Sequence, residues 1–133
     1  MIILDHEQGT EEWLASRLGR PSASGFSKLI TATGKPSTSA SGYIHELIAE
    51  RLTGESTPFH VTEWMERGKN LENEAREAYE FITDNEVLET GFILDPSFEF
   101  GCSPDGLIDG DGGLEIKCPA PKTMVSYLAD EQV

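Results

Sequence analysis

A chain of 133 residues, 38% of them hydrophobic, is long enough for one domain built on one core. No apolar run approaches the roughly 20 residues needed to cross a bilayer. Asp5 also comes too early for a secretion signal, so a cytoplasmic protein with no membrane partner is expected. The formal net charge of -14, taken alone, opposes nucleic-acid binding, because phosphate affinity depends on Lys and Arg.

The elements run as follows. Thr10 caps a short helix over Glu11–Leu18, with Glu11 and Glu12 in the first turn where carboxylates favour the dipole. Gly19 and Pro21 end it. Ser22 or Ser24 then caps a second short helix reaching Ile30. This part of the chain has its own charge character. From Trp13 to His45 there is no Asp or Glu, while Arg17, Arg20, Lys28 and Lys35 are present. The window carries +4 and the rest of the chain -18. A local basic surface on an acidic body is compatible with gripping one end or one strand of a polyanion; the alternative is a polar surface segment without acids.

Thr31–Ser39 is a loop by composition. A third helix fits Ser41–Leu52, with Tyr43, Ile44, Leu47, Ile48 and Leu52 on one side and Gly54 as its stop. After a connector at Glu55–Val61, the longest helix covers about Thr62–Ile82, with a stripe at Met65, Gly68, Leu71, Ala75, Ala78, Tyr79 and Ile82. Asp84-Asn85 breaks it, and the period changes from helix to strand. Val87, Glu89, Gly91 and Ile93 suggest one extended segment, and Phe98, Phe100 and Cys102 a second. Leu107-Ile108 leads into Asp109–Gly113, a hairpin turn signal, and Leu114, Ile116 and Cys118 alternate with Glu115 and Lys117 in a third. Pro119 and Pro121 end it, and Met124–Leu128 starts another helix. One domain, 1–133, is expected: a helical part over 1–85 and a sheet over 86–118. The fold class is α/β, a small mixed sheet flanked by helices.

Two cysteines, Cys102 and Cys118, read as free half-buried thiols, although paired strands would allow a disulfide. With His6, His45 and His60 they show no zinc spacing, and four cysteines for an iron–sulfur cluster are absent. Thr33–Ser39 is not a P-loop, because Pro36 follows the lysine and an upstream glycine is missing. Asp109–Gly112 lacks the ligand ladder and closing Glu of an EF-hand.

The chemistry gathers near the hairpin. Alternate strand side chains share a face, so Glu115 and Lys117 project together. A turn at Asp109–Gly113 brings Asp105 alongside Glu115. Two carboxylates and an ammonium at one sheet end suit metal-assisted phosphodiester hydrolysis. Mg²⁺ prefers hard oxygens, which Asp105, Glu115 and the Ile116 carbonyl can supply. Lys117 can orient or deprotonate a water, or stabilise the transition state; sequence leaves these open. The plain alternative is an exposed Glu-x-Lys pair beside an ordinary Asp-Gly turn.

These residues carry a resemblance. CSPDGLI followed by GLEIKCP resembles the PD-(D/E)xK nuclease superfamily, and more narrowly the lambda exonuclease / YqaJ-type viral recombinase family. QGTEEWLASRLGRPSAS, Gln8 to Ser24, resembles that family's N-terminal signature. RGKNLENEAREAYEF, Arg67 to Phe81, resembles its central helix. The resemblance implies a restriction-endonuclease-like core, metal ligands at Asp105, Glu115 and the Ile116 carbonyl, a catalytic Lys117, and Glu72 facing the metal. Taken without it, Glu72 is an i,i+4 partner of Arg76 on a solvated face. The resemblance places the terminal 5′-phosphate on Arg17, Ser22 and Ser24, which otherwise read as a helix cap and a surface arginine. Trp13 is expected to pack its helix on the core rather than stack on a base.

The implied activity is a Mg²⁺-dependent exonuclease, with Mn²⁺ able to substitute, that degrades 5′-phosphorylated ends of duplex DNA and leaves 3′ single strands. The implied partners are double-stranded DNA ends, a single-strand annealing protein and, in longer members, two further copies in a homotrimer. An endonuclease of the same superfamily and a non-catalytic DNA-end-binding or assembly module are the alternatives. The family pattern continues beyond the Glu-x-Lys strand to a catalytic-site glutamine. Here Val133 comes 16 residues after Lys117, and Gln132 is too near Lys117 for that place, so a C-terminally shortened form is expected.

Overall fold

The structure, a computed structural model, describes residues 1–58, 61–109 and 112–129. Expectations that fall on His60, Gly110, Asp111, Gln132 and Val133 lie outside the described residues. The elements in order are β1 (Ile2–Leu4), α1 (Glu11–Arg17), a 3-10 turn (Ala23–Gly25), α2 (Phe26–Leu29), α3 (Ala40–Thr53), α4 (Glu63–Thr83), β2 (Val87–Leu88), β3 (Phe92–Leu94), β4 (Gly101–Cys102), β5 (Gly106–Ile108), β6 (Gly112–Leu114) and α5 (Pro121–Ala129).

The α/β class holds, with the sheet resolved into two small antiparallel sheets, ordered β1-β3-β4 and β2-β5-β6. The expected single extended segment from Val87 to Ile93 is therefore split. Val87 and Leu88 pair with Ile108 and Leu107, whereas Phe92–Leu94 pairs with β1 on one side and β4 on the other. Gly91 sits at the division, packed so closely on the Leu4 and His6 backbones that a Cβ has no room. The expected strand through Phe98 shortens to Gly101–Cys102. Phe98 instead has φ of 62° in a turn organised by Asp95, whose carboxylate accepts the N–H groups of Ser97, Glu99 and Phe100. The core centres on β3, where Phe92 is fully buried and Ile93 and Leu94 nearly so.

Helix boundaries follow local chemistry. The Thr10 hydroxyl accepts the Trp13 N–H, and the Thr62 hydroxyl accepts the Met65 N–H. Gly54 and Asp84 close α3 and α4 in the left-handed conformation. The expected apolar stripes are covered only in part. On α3 only Tyr43 is buried, with Ile44, Ile48 and Leu52 exposed. On α4 the middle turns (Leu71, Ala75, Tyr79) are half-buried, Met65 and Ile82 are exposed, and the one buried side chain is that of Arg76. Cys102 and Cys118 are free thiols.

Candidate functional site

The β5–β6 hairpin sets the first half of the site. Its register pairs Gly106 with Leu114, which puts Asp105 opposite Glu115. The Asp105 N–H donates to the Leu114 carbonyl at 3.0 Å, and the Ile116 N–H donates to the Asp105 carboxylate at 2.5 Å. Residues 115–118 run past the end of β6 yet keep the alternation of exposed Glu115 and Lys117 with half-buried Ile116 and Cys118. Glu115 and Lys117 form an ion pair with each other. Arg67 of α4 donates to the Cys118 and Pro119 carbonyls, both at 3.4 Å, and so ties this segment to the long helix.

Asp105 faces a cavity of about 730 Å³ whose walls include Gln8, Trp13, Lys69, Glu72, Arg76 and Glu89; Glu115 and Lys117 are not among its lining residues. Glu72 enters from α4. Burial raises its carboxyl above the usual range, and the negative charge of Asp105 raises it further, against the pull of Arg76. The pair with Arg76 exists at 3.0 Å, but on a face turned into the cavity beside Asp105 rather than into solvent.

The second half is the phosphate candidate. Arg17 Nη2 lies 3.4 Å from both the Ser22 and Ser24 hydroxyls, which are 3.1 Å from each other. Ser22 makes no side-chain cap. The helices that follow it are a single 3-10 turn and a four-residue α2, too short for a useful dipole, so an anion site here rests on the guanidinium and the hydroxyls. Burial lowers the Arg17 pKa, with Tyr43 and Glu50 opposing, but a guanidinium stays charged. Among the described residues no carboxylate forms an ion pair with Arg17.

One side chain joins the halves. The Arg17 guanidinium lies over the Trp13 ring at 4.2 Å, and the Trp13 indole N–H donates to the Ser103 hydroxyl at 3.0 Å, two residues before Asp105. Trp13, half-buried, thus stands between the two clusters. Gln8 does related work, donating to the Thr90 and Pro104 carbonyls at 3.0 and 2.9 Å. Sequence reasoning gave no role to Gln8, Ser103 or Glu89. Their contacts span large sequence separations that local periodicity does not report.

The family model of the YqaJ-like viral recombinase domain matches residues 12–133. The chain belongs to this family. Among solved structures, this YqaJ-like domain is similar to the alkaline exonuclease LHK-Exo from Laribacter hongkongensis, with 38% identity and a TM-score of 0.80. It is also similar to LHK-Exo in complex with dAMP, with 38% identity and a TM-score of 0.81. In both cases 93% of this chain aligns, and it spans 61% of the length of the other. Comparison with curated proteins gives no match.

The donor chemistry fits a hard cation. Among the described residues no three His, Cys, Asp or Glu side chains converge as a ready-made cage. The available oxygens are carboxylates and backbone carbonyls, the kind Mg²⁺ accepts while keeping several waters of its own. The repulsion between Glu72 and Asp105 is a charge arrangement that a cation would relieve.

Proposed function

We propose that this domain is a Mg²⁺-dependent deoxyribonuclease acting as an exonuclease on 5′-phosphorylated ends of duplex DNA, with Mn²⁺ able to substitute. The observation that carries the reading is the hairpin junction. Asp105 is fastened to Ile116 across the turn, with Glu115 opposite and Lys117 beside it, while Glu72 approaches Asp105 from α4. The likeness to an alkaline exonuclease supports the same reaction class.

Asp105, Glu115 and the Ile116 carbonyl would hold the cation, with Glu72 at the edge of the site. A divalent cation there would neutralise phosphate charge and acidify a water. Lys117 is the exposed ammonium beside these carboxylates. In the free protein it rests on Glu115; with substrate bound it is free to turn toward the phosphate, where it orients the attacking water or offsets charge built up in the transition state. Arg17, Ser22 and Ser24 take the terminal phosphate, which carries more charge than an internal diester. Trp13 fixes the spacing between that phosphate and the bond to be cut.

DNA ends are thus the proposed partner. A single-strand annealing protein, homotrimer assembly and a cytoplasmic setting belong to the same proposal. Among the described residues no helix is long and apolar enough to cross a membrane. The test is product analysis with Mg²⁺ on linear 5′-phosphorylated duplex and on closed circular duplex. Mononucleotides from the linear substrate alone support the reading. Cuts in the circle would indicate an endonuclease, and end binding without cleavage a non-catalytic module.

A further inference from the structure

Arg76 is the most deeply buried charged side chain on α4, at 8% exposure, and it stands in the wall of the carboxylate cavity. Its guanidinium is shared. Nη2 holds Glu72 at 3.0 Å, Nη1 holds Glu89 at 2.6 Å, and Nη1 also reaches Asn73 Oδ1 at 3.3 Å. Arg76 Nε and Thr90 Oγ1 are buried without a hydrogen-bond partner among the described residues, and both residues line the same cavity. The fork thus bridges two carboxylates at once and keeps one donor to spare.

From this geometry we infer that Arg76 is the resident counter-ion of the carboxylate cluster, and that Glu89 draws it off Glu72 when a divalent cation enters. Arg76 and Glu89 are positioning residues for the cation and touch no reacting atom. The inference rests on the metal-site reading above. The physical reason is competition. Glu72 cannot give full charge to a cation while it neutralises Arg76, and Asp105 already repels it. Glu89 provides the alternative seat that keeps the buried guanidinium paired, and an unpaired buried cation is costly. Glu89 is itself 74% exposed, so its substitution does not threaten the core.

The test is calorimetric titration of Mn²⁺ into the 133-residue chain and into Glu89→Gln. With Glu89 neutral, Arg76 stays on Glu72, and Mn²⁺ affinity should fall by about fivefold, a figure set low because the pair is partly solvent-screened. Direct attraction between exposed Glu89 and the ion would have the same sign, so two controls separate the causes. At about 0.5 M NaCl a direct effect across solvent is largely screened, whereas the Glu89–Arg76 contact at 2.6 Å lies inside the screening length and persists. In an Arg76→Met background, Glu89→Gln should have no further effect; if Arg76→Met melts too low to titrate, Arg76→Gln replaces it. Equal Mn²⁺ affinity for parent and Glu89→Gln overturns the inference and leaves the nuclease reading standing. So does a deficit that vanishes in salt or persists without Arg76. A parent chain that takes up no Mn²⁺ overturns the metal-site reading and this inference together.

Discussion

Asp105 receives the Ile116 N–H on its carboxylate while its own N–H holds the Leu114 carbonyl. Asp105→Asn keeps an acceptor for Ile116 but removes the charge that repels Glu72. Its thermal midpoint without metal should therefore not fall below the parent's, and calorimetry checks this. At Lys117 the expected separation is between binding and turnover. Lys117→Ala should keep Mg²⁺ affinity within a few-fold and lose on the order of a hundredfold or more in rate, because the cation is needed most in the transition state. Lost Mg²⁺ affinity with intact turnover would assign Lys117 a different role. Arg17→Ala should cut the preference for 5′-phosphate over 5′-hydroxyl ends by about ten- to a hundredfold, the worth of a charged hydrogen bond. Arg17→Lys should restore little of it, since an ammonium lacks the fixed planar fork that pairs bidentately with a phosphate while keeping the serine contacts. A competition assay with both kinds of end reads the difference.

The clearest prediction at the scale of elements concerns the β3–β4 turn. Its hydrogen bonds from Ser97, Glu99 and Phe100 lower the Asp95 pKa to about 2 from an ordinary 3.8. A carboxyl with a lowered folded-state pKa contributes stability that is fully present above its unfolded value and is lost as pH falls through the folded one. Asp95→Ala should melt lower than the parent at neutral pH, and the two curves should converge as pH drops from about 4 toward 2. A constant gap across that window would contradict the assignment. The hairpin after Asp105 was legible in sequence because Asp109–Gly113 is strong turn chemistry and alternation continues through Lys117. The long helix was legible from its Thr62 cap and its three-and-four spacing. The division of residues 87–102 between two sheets was not. Phe92, Ile93 and Leu94 are all buried, so they show no alternation, and strands of two or three residues are too short for a period. β1 went unrecognised for the same reason; its pairing with β3 joins residues about ninety positions apart. The apolar stripe of α4 is covered only in part, because the buried face centres on Arg76 rather than on an apolar side chain.

At the scale of the molecule, the proposed function draws on distant pieces of chain held in register. Segment 8–24 supplies Gln8, Trp13, Arg17 and the two serines, α4 supplies Glu72 and Arg76, and the hairpin supplies Asp105, Glu115 and Lys117. The window around Arg17 is free of acids along the sequence of a chain of net -14, although α3 brings Glu46 onto Lys28 at 3.2 Å and Glu50 within electrostatic reach of Arg17. Under the proposed reading DNA is guided to that window, so binding should weaken steeply with salt, and Lys28→Ala or Lys35→Ala should flatten the slope for both kinds of end alike. The metal-site reading stands or falls most directly on one measurement, mononucleotide release from a 5′-phosphorylated linear duplex by parent and Asp105→Asn, each with Mg²⁺ and with a chelator. Expected is release by the parent with Mg²⁺ alone, and none by Asp105→Asn under either condition. Near-parental release by Asp105→Asn, or parental release that survives the chelator, would contradict it.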